Sequence, residues 1–232
     1  MHSSPGVELL FQLGAAAWGR LAEGASQARR RRPYMKVKET AIIDEILTGL
    51  KPGRCLEWGS GYSTLWFPRL LDKDASWLAV EHDREWADKV SGMNNDPKVT
   101  VAHIAPNRNA WSDAHNDGAP GDLKDYLEYP SRFGKYDFIL IDGRARVGCL
   151  EKAQGLAREG GVIVLHDANR RYYLEWIAEN PGQALFQDGR KDEGGLCIFR
   201  VGGGLKQVLD VECHKAVWNA YDMLGKLHLP KL

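Results

Sequence analysis

The chain has 232 residues, 44% hydrophobic and 27% charged, the make-up of a folded globular protein with one large domain or two small ones. Lys+Arg and Asp+Glu are both 31, so the formal net charge is zero, and bulk charge gives no argument for nucleic acid or an acidic membrane surface as partner. Four cysteines, Cys55, Cys149, Cys197 and Cys213, are widely spaced with no CxxC pair; they indicate neither a zinc site nor a disulfide framework and fit a reducing, cytoplasmic setting.

No apolar run approaches the roughly 18 to 20 residues that span a bilayer. The opening stretch MHSSPGVELLFQLGAAAWGRLAEG has no basic residue before its apolar part, and Glu8 and Arg20 interrupt it. It reads as a short helix or loose arm rather than a signal peptide. ARRRRPYMKVK, residues 28–38, is the one dense basic run. It is either a solvated linker or, through Arg29 to Arg32, a surface for phosphate or another anion. ETAIIDEILTGL follows, with Ile42, Ile43, Ile46, Leu47 and Leu50 at helical spacing, and Lys51-Pro52-Gly53 ends that helix.

Strands and helices then alternate. RCLEWG, SWLAVEH, KVTVAHI, YDFILIDG and GGVIVLHD read as strands; STLWFPRLL, DREWADKVSGM, RVGCLEKAQGLARE and RRYYLEWIAEN read as helices. This alternation implies βαβ units and a parallel sheet covered on both faces. The unbroken runs Phe138 to Ile141 and Val162 to Leu165 suit strands buried on both sides. QALFQDG and GGLCIFRVG have no helix between them and predict an antiparallel hairpin at the sheet edge. A last helix over 213–228 has Val217, Tyr221 and Leu224 spaced for one face. Residues 105–135 show no period and carry much Asn, Asp, Gly and Pro; a loop of that length in a compact domain is usually functional or mobile.

Ligands of open parallel sheets bind beyond the carboxyl ends of the strands. The chemically informative residues fall there: Glu57-Trp58-Gly59-Ser60-Gly61, Glu81-His82-Asp83, Asp142-Gly143 and His166-Asp167. Gly59 and Gly61 allow a sharp turn and a close backbone approach, and a helix starting near Ser63 offers unpaired N–H groups to an anion. Glu57 adds negative charge beside that turn, which suits a ligand with an ammonium as well as a carboxylate. Glu81 is placed to accept from two ribose hydroxyls. The ligand implied is a nucleoside joined to an amino acid. A dinucleotide would want GxGxxG, and the third small position here is Thr64, which weighs against a nicotinamide-dependent oxidoreductase. An RNA-binding module acting through Arg29 to Arg32 is a further alternative, disfavoured by the neutral charge.

LEWGSGYST, VEHD, YDFILIDG and GGVIVLHD, in this order and spacing, resemble the motifs of class I S-adenosylmethionine-dependent methyltransferases, over roughly residues 36–201. The likeness is closest to the small-molecule O-methyltransferase-like branch. It implies a Rossmann-like, seven-stranded, mostly parallel sheet with helices on both faces and a C-terminal antiparallel hairpin. It also implies an arm over 1–35, a methyltransferase domain over 36–204 and a C-terminal helix over 205–232 packed on that domain. The implied activity is methyl transfer from S-adenosylmethionine to an oxygen of a small molecule, with no membrane or nucleic acid as partner; whether the chain forms a homo-oligomer is left open. Glu57, Gly59 and Gly61 would line the methionine end of the cofactor, with Ser60, Ser63 and Thr64 near its carboxylate. Glu81 would hold the ribose, and His82 would lie beside the adenine. Asp142 would sit near the sulfonium and the acceptor, joined by His166 and Asp167 as candidate catalytic residues, with His166 a possible base. Metal-dependent members use an Asp after strand four and an Asp-Asn pair after strand five. Asp142 and Asp167 match, but residue 168 is alanine and Asn169 stands one place late, so a magnesium or manganese site is only partly specified. His166 and Asp167, adjacent on a strand, are expected to point to opposite faces and not to touch.

Overall fold

In a computed structural model the chain divides into two units, Met1–Arg32 and Pro33–Leu232. The structure describes residues 32–108, 110–187 and 194–226. The expected basic surface at Arg29 to Arg32 thus lies outside the described residues, except for Arg32.

The apolar runs pair into one seven-stranded sheet in the order β3-β2-β1-β4-β5-β7-β6. Its strands are β1 (Arg54–Trp58), β2 (Ser76–Glu81), β3 (Val99–His103), β4 (Tyr136–Ile141), β5 (Ala157–His166), β6 (Ala184–Phe186) and β7 (Leu196–Arg200). The first five are parallel to their neighbours, whereas β7 runs antiparallel to both β5 and β6. The hairpin is therefore inserted, with its second strand pairing inward on β5 and its first strand left at the edge. Strand order reverses between β1 and β4, the switch point where the parallel sheet opens a crevice.

Among the described residues, seven helices flank the strands: α1 (Val37–Leu50), α2 (Tyr62–Trp66), α3 (Arg84–Met93), α4 (Lys124–Glu128), α5 (Arg146–Leu156), α6 (Arg171–Glu179) and α7 (Val211–Lys226). Two apolar clusters fill the two sheet faces. On one face Cys55, Trp77, Ala79, Phe138, Leu140, Val162 and Val164 meet Ile42, Ile43, Ile46 and Leu47 of α1 and Trp218 of α7. On the other, Leu56, Trp58, Val80, Ile139, Ile141, Ile163 and Leu165 meet α4, α5 and α6 through residues such as Tyr126, Cys149 and Tyr173. The period of two has a functional consequence. Continued to the strand ends, the α1 face receives Glu57 after Cys55, Glu81 after Ala79, Asp142 after Leu140 and His166 after Val164. Four ionisable side chains are therefore delivered to one side of the crevice.

Several expectations change in detail. The helix after β1 is five residues long and passes at once into a 3₁₀ turn, Phe67–Leu70, because Pro68 has no N–H to continue an α-helix. The helix expected to reach residue 159 ends at Leu156; Ala157 to Glu159 already belong to β5, whose register with β4 shifts between Tyr136 and Phe138. On α7 the buried anchor is Trp218, whereas Tyr221 is half exposed under the Lys38 ammonium. The irregular segment is held by polar staples: Asp122 accepts from Ser112 N and Oγ and from Ala119 N, and Tyr126 is fully buried. All four cysteines are free thiols. Among the described residues, no helix is long and apolar enough to cross a membrane.

Candidate active site

The turn after β1 explains its own sequence. Gly59 has φ +99°, and a Cβ there would come within 2.9 Å of Gly143 on the neighbouring strand end. This position requires glycine for conformation and for space. Gly61 differs: its φ is 176°, an extended value open to any residue, and a Cβ would meet nothing nearer than Ser63 Oγ at 3.8 Å. Nothing in the protein's own packing demands glycine there.

Glu57, 1% exposed, accepts from Ser63 Oγ (2.5 Å), Thr64 Oγ1 (2.7 Å) and Trp77 Nε1 (2.8 Å). All three donors are neutral. Burial raises its pKa to about 7, against the lowering effect of those bonds, and the nearby Asp142 charge adds to the rise. Thr64 Oγ1 also accepts from Gly61 N at 2.9 Å, so the side chains of Glu57 and Thr64 brace the glycine turn from beneath. Glu81, 4% exposed, lies on the upper side of the same turn. Its Oε2 accepts from Ser60 N (2.8 Å) and Ser60 Oγ (3.2 Å), and its Oε1 from His82 N (2.9 Å) and Asp83 N (3.0 Å). Burial opposes ionisation, but His82 and the backbone donors outweigh it and hold the carboxyl below its ordinary range. His82 Nδ1 is 2.7 Å from Glu81 Oε1 without the alignment of a hydrogen bond, and its ring packs against Trp111 at 5.5 Å and Tyr126 at 6.2 Å.

The ends of β4 and β5 carry a different chemistry. His166 Nδ1 lies 2.8 Å from Asp142 Oδ1, and its Nε2 lies 3.3 Å from Glu39 Oε2 on α1. Burial by itself would lower the imidazole pKa, but the Asp142 and Glu39 carboxylates, with Asp167, drive it up to about 10. Arg146, only 5% exposed at the start of α5, donates to the His166 carbonyl (2.6 Å) and the Gly143 carbonyl (2.9 Å). It also pairs with Asp142 Oδ1 at 3.3 Å and Asp167 Oδ2 at 3.4 Å. Asp167 further accepts from Arg170 (2.7 Å) and Gly194 N (2.8 Å). Asp167 has φ +58°, so the chain leaves the strand there and the alternation rule stops applying. The two neighbours expected to diverge instead approach to 3.9 Å, His166 Nδ1 to Asp167 Oδ1.

No family model matches the sequence, and no curated protein matches it. Solved structures do resemble the fold. An O-methyltransferase from Bacillus cereus, crystallised with S-adenosylhomocysteine, superposes with a TM-score of 0.54 at 19% identity, over 87% of this chain and 92% of that one. A methyltransferase-like protein from Silicibacter pomeroyi gives 0.53 at 23% identity, over 75% and 90%. The O-methyltransferase TomG from Streptomyces achromogenes, in complex with S-adenosylmethionine, gives 0.51 at 16% identity, over 72% and 82%. The fold is a methyltransferase fold.

On this methyltransferase fold the expected site residues separate into two groups. Ser60, Gly61, Glu81, His82 and Asp142 border the crevice. Glu57, Ser63 and Thr64 do not face it as expected, because their polar atoms close on one another and on Trp77 below the turn. His166, the candidate base, has Nδ1 at 2.8 Å from Asp142 and Nε2 at 3.3 Å from Glu39, and carboxylates around it drive its pKa up to about 10. Glu39 and Arg146 are partners of this site that the strand-end motifs did not single out. A signal for Glu39 was available, since it shares the helical stripe of Ile42, Ile43 and Ile46 and so must be buried with them.

Two features fit a nucleoside-bearing cofactor. Gly61 leaves a space that a Cβ would enter. Tyr126 Oη, fully buried beside Gly143, makes no geometrically sound hydrogen bond among the described residues, although the Arg144 backbone is near enough to act on the phenol. A divalent metal fits poorly. Asp142, His166 and Asp167 bring ligand atoms within 4.8 Å of one another, but the Arg146 guanidinium already bridges the two carboxylates. Asn169, the displaced third ligand of the expected triad, lies instead against Gly195, where an added Cβ would come within 2.7 Å of its Oδ1.

Proposed function

We propose that this protein transfers a methyl group from S-adenosylmethionine to an oxygen of a small molecule. The observation that carries the reading is the Glu81 carboxylate, buried at the end of β2 and laid against the N–H and hydroxyl of Ser60 in the glycine turn. An ionised acceptor in that position suits a vicinal pair of ribose hydroxyls, which would take over the bonds now made by Ser60. His82, Trp111 and Tyr126 supply aromatic surface beside it, and the open space at Gly61 suits close approach of the amino-acid end. The cofactor, when bound, supplies an electrophilic methyl group; the protein's part is alignment of the acceptor and care of its proton. Asp142 suits the second task. Its Oδ1 is fixed by His166 and Arg146, while Oδ2 has no donor among the described residues and can accept an acceptor O–H. Transfer to oxygen of a small molecule is supported by the O-methyltransferases among the structural neighbours. A cytoplasmic setting is supported by four free thiols.

Calorimetric titration with S-adenosylhomocysteine tests this. Binding is expected in the wild type, and Glu81→Ala should weaken it by about 1.5 to 3 kcal/mol, the range for hydrogen bonds to a charged group. Unchanged affinity in a folded Glu81→Ala variant, or binding of NAD with none of S-adenosylhomocysteine, would sink the proposal.

A further inference from the structure

We infer that Arg146 stands in place of a divalent cation between Asp142 and Asp167, so that this site works without metal. The position is the one a cation would choose. Asp142 and Asp167 project from the ends of adjacent strands, with His166 Nδ1 close to both. Two partly buried carboxylates so close together call for positive charge between them. The fold provides it from within. Arg146 opens α5, and its backbone N–H is fixed by Asp117 Oδ2 at 3.1 Å, which also accepts from Tyr173 through Oδ1 at 2.8 Å. Ala145, just before it, sits at φ +50° with its N–H on the Asp117 carbonyl, a backbone setting that aims the guanidinium back across the strand ends. A guanidinium offers several donors in one plane, and each finds an acceptor here: Asp142, Asp167 and the carbonyls of Asp142, Gly143 and His166.

The oxygens a metal would need are already committed. Asp167 Oδ2 holds two guanidinium groups, and its Oδ1 accepts from Gly194 N. Asp142 Oδ1 is taken up by His166 Nδ1 at 2.8 Å and by the Arg146 guanidinium at 3.3 Å. Only Asp142 Oδ2 stays open among the described residues. A hard cation such as magnesium wants about six oxygen ligands, several from protein or water, and would have to expel the buried arginine first. Arg146 is a positioning residue in this arrangement. It locks one oxygen of Asp142 and leaves the other for the crevice.

The inference rests on the proposed reaction only for its purpose, not for its test. Wild-type protein is titrated with manganese, followed by the resonance of the free ion and by thermal shift. Neither saturable binding nor a rise in Tm is expected, and S-adenosylhomocysteine affinity should be the same with and without EDTA. Arg146→Ala removes the guanidinium and should gain saturable manganese binding together with a manganese-dependent rise in Tm. Arg146→Lys restores a charge and should remain blind to the ion. Stoichiometric manganese binding by the wild type, lost in Asp167→Asn, would overturn the inference, and that arm needs no Arg146 variant to fold. A folded Arg146→Ala protein that still ignores manganese would overturn it as well. Failure of S-adenosylhomocysteine to bind to a metal-blind wild type would count against the proposed reaction alone.

Discussion

Glu57 and Asp142 end neighbouring strands and face the same side of the sheet, yet the protein treats them in opposite ways. Glu57 is surrounded by two hydroxyls and an indole N–H, without a cation. Asp142 is met by an imidazole and a guanidinium. Neutral donors leave a buried acid poised between protonation states, and its pKa is pushed up to about 7. Cations commit the cluster to charge, and His166 holds its proton up to about pH 10. Two adjacent strand ends therefore carry one acid whose pKa lies near neutrality, closed off below the turn, and one charged cluster at the crevice.

The largest expected effect breaks the charged cluster. His166 has an ordinary pKa of 6.5 and reaches about 10 in the fold. Between those values the folded chain holds a proton that the unfolded chain has released, so this contribution is complete below about pH 6.5 and is lost as pH rises toward 10. A tenfold gain in proton affinity is worth about 1.4 kcal/mol, which makes the total a few kcal/mol. Urea denaturation across pH 6.5 to 10 should show that decline, and His166→Gln should flatten it. An equal slope in both proteins would mean that His166 is not the titrating group.

A smaller effect tests the enclosed acid. The Glu57 pKa rises from 4.5 to about 7, so stability should fall as pH rises across that window, the folded state again retaining the proton longer. Glu57→Gln should remove this slope. It should also shift stability by roughly 1 to 2 kcal/mol, because an amide N–H₂ turned toward Ser63, Thr64 and Trp77 leaves donors facing donors. Retention of the wild-type slope between pH 4.5 and 7 would exclude Glu57 as its source.

The smallest effect concerns a polar group with neither kind of partner. Tyr126 Oη is buried and makes no geometrically sound hydrogen bond among the described residues. Tyr126→Phe should leave the free protein within about 0.5 kcal/mol or slightly stabilised, since nothing is lost but a desolvated hydroxyl. If that hydroxyl waits for the cofactor, the same variant should bind S-adenosylhomocysteine more weakly by about 0.5 to 1.5 kcal/mol. Equal affinity would make Tyr126 a packing residue only.

The architecture was legible because its signals are local. Unbroken apolar runs, helical stripes and glycine turns each declare one element, and their alternation declares the sheet. The strand-end residues were legible for the same reason, since a sheet of this kind has one functional edge. What sequence could not supply was who meets whom across that edge. Glu57 and Glu81 look alike as acids at strand ends, but one is turned beneath the loop by Ser63 and Thr64 and the other lies above it at Ser60. His166 reads in sequence as either a base or a hydrogen-bonded residue, and only the approach of Glu39 from α1 shows what faces its second nitrogen. Arg144 and Arg146 both follow Asp142 closely in sequence, yet with left-handed Ala145 between them the second is buried and the first lies against Trp111.

Glu39 also constrains the order in which the molecule can be assembled. It lies 127 positions before His166 and 156 before Gly195, whose N–H it accepts at 2.7 Å. During synthesis α1 is made early, with its apolar stripe ready to dock, but docking then would bury a carboxylate whose distant donors do not yet exist. Its local partner, Lys36 N at 2.7 Å, would then satisfy only part of the carboxylate, so burial at that stage carries a desolvation cost. The fit of helix α1 to the sheet is thus complete only when β5 and the start of β7 are in place, which ties an early helix among the described residues to the last strands of the sheet.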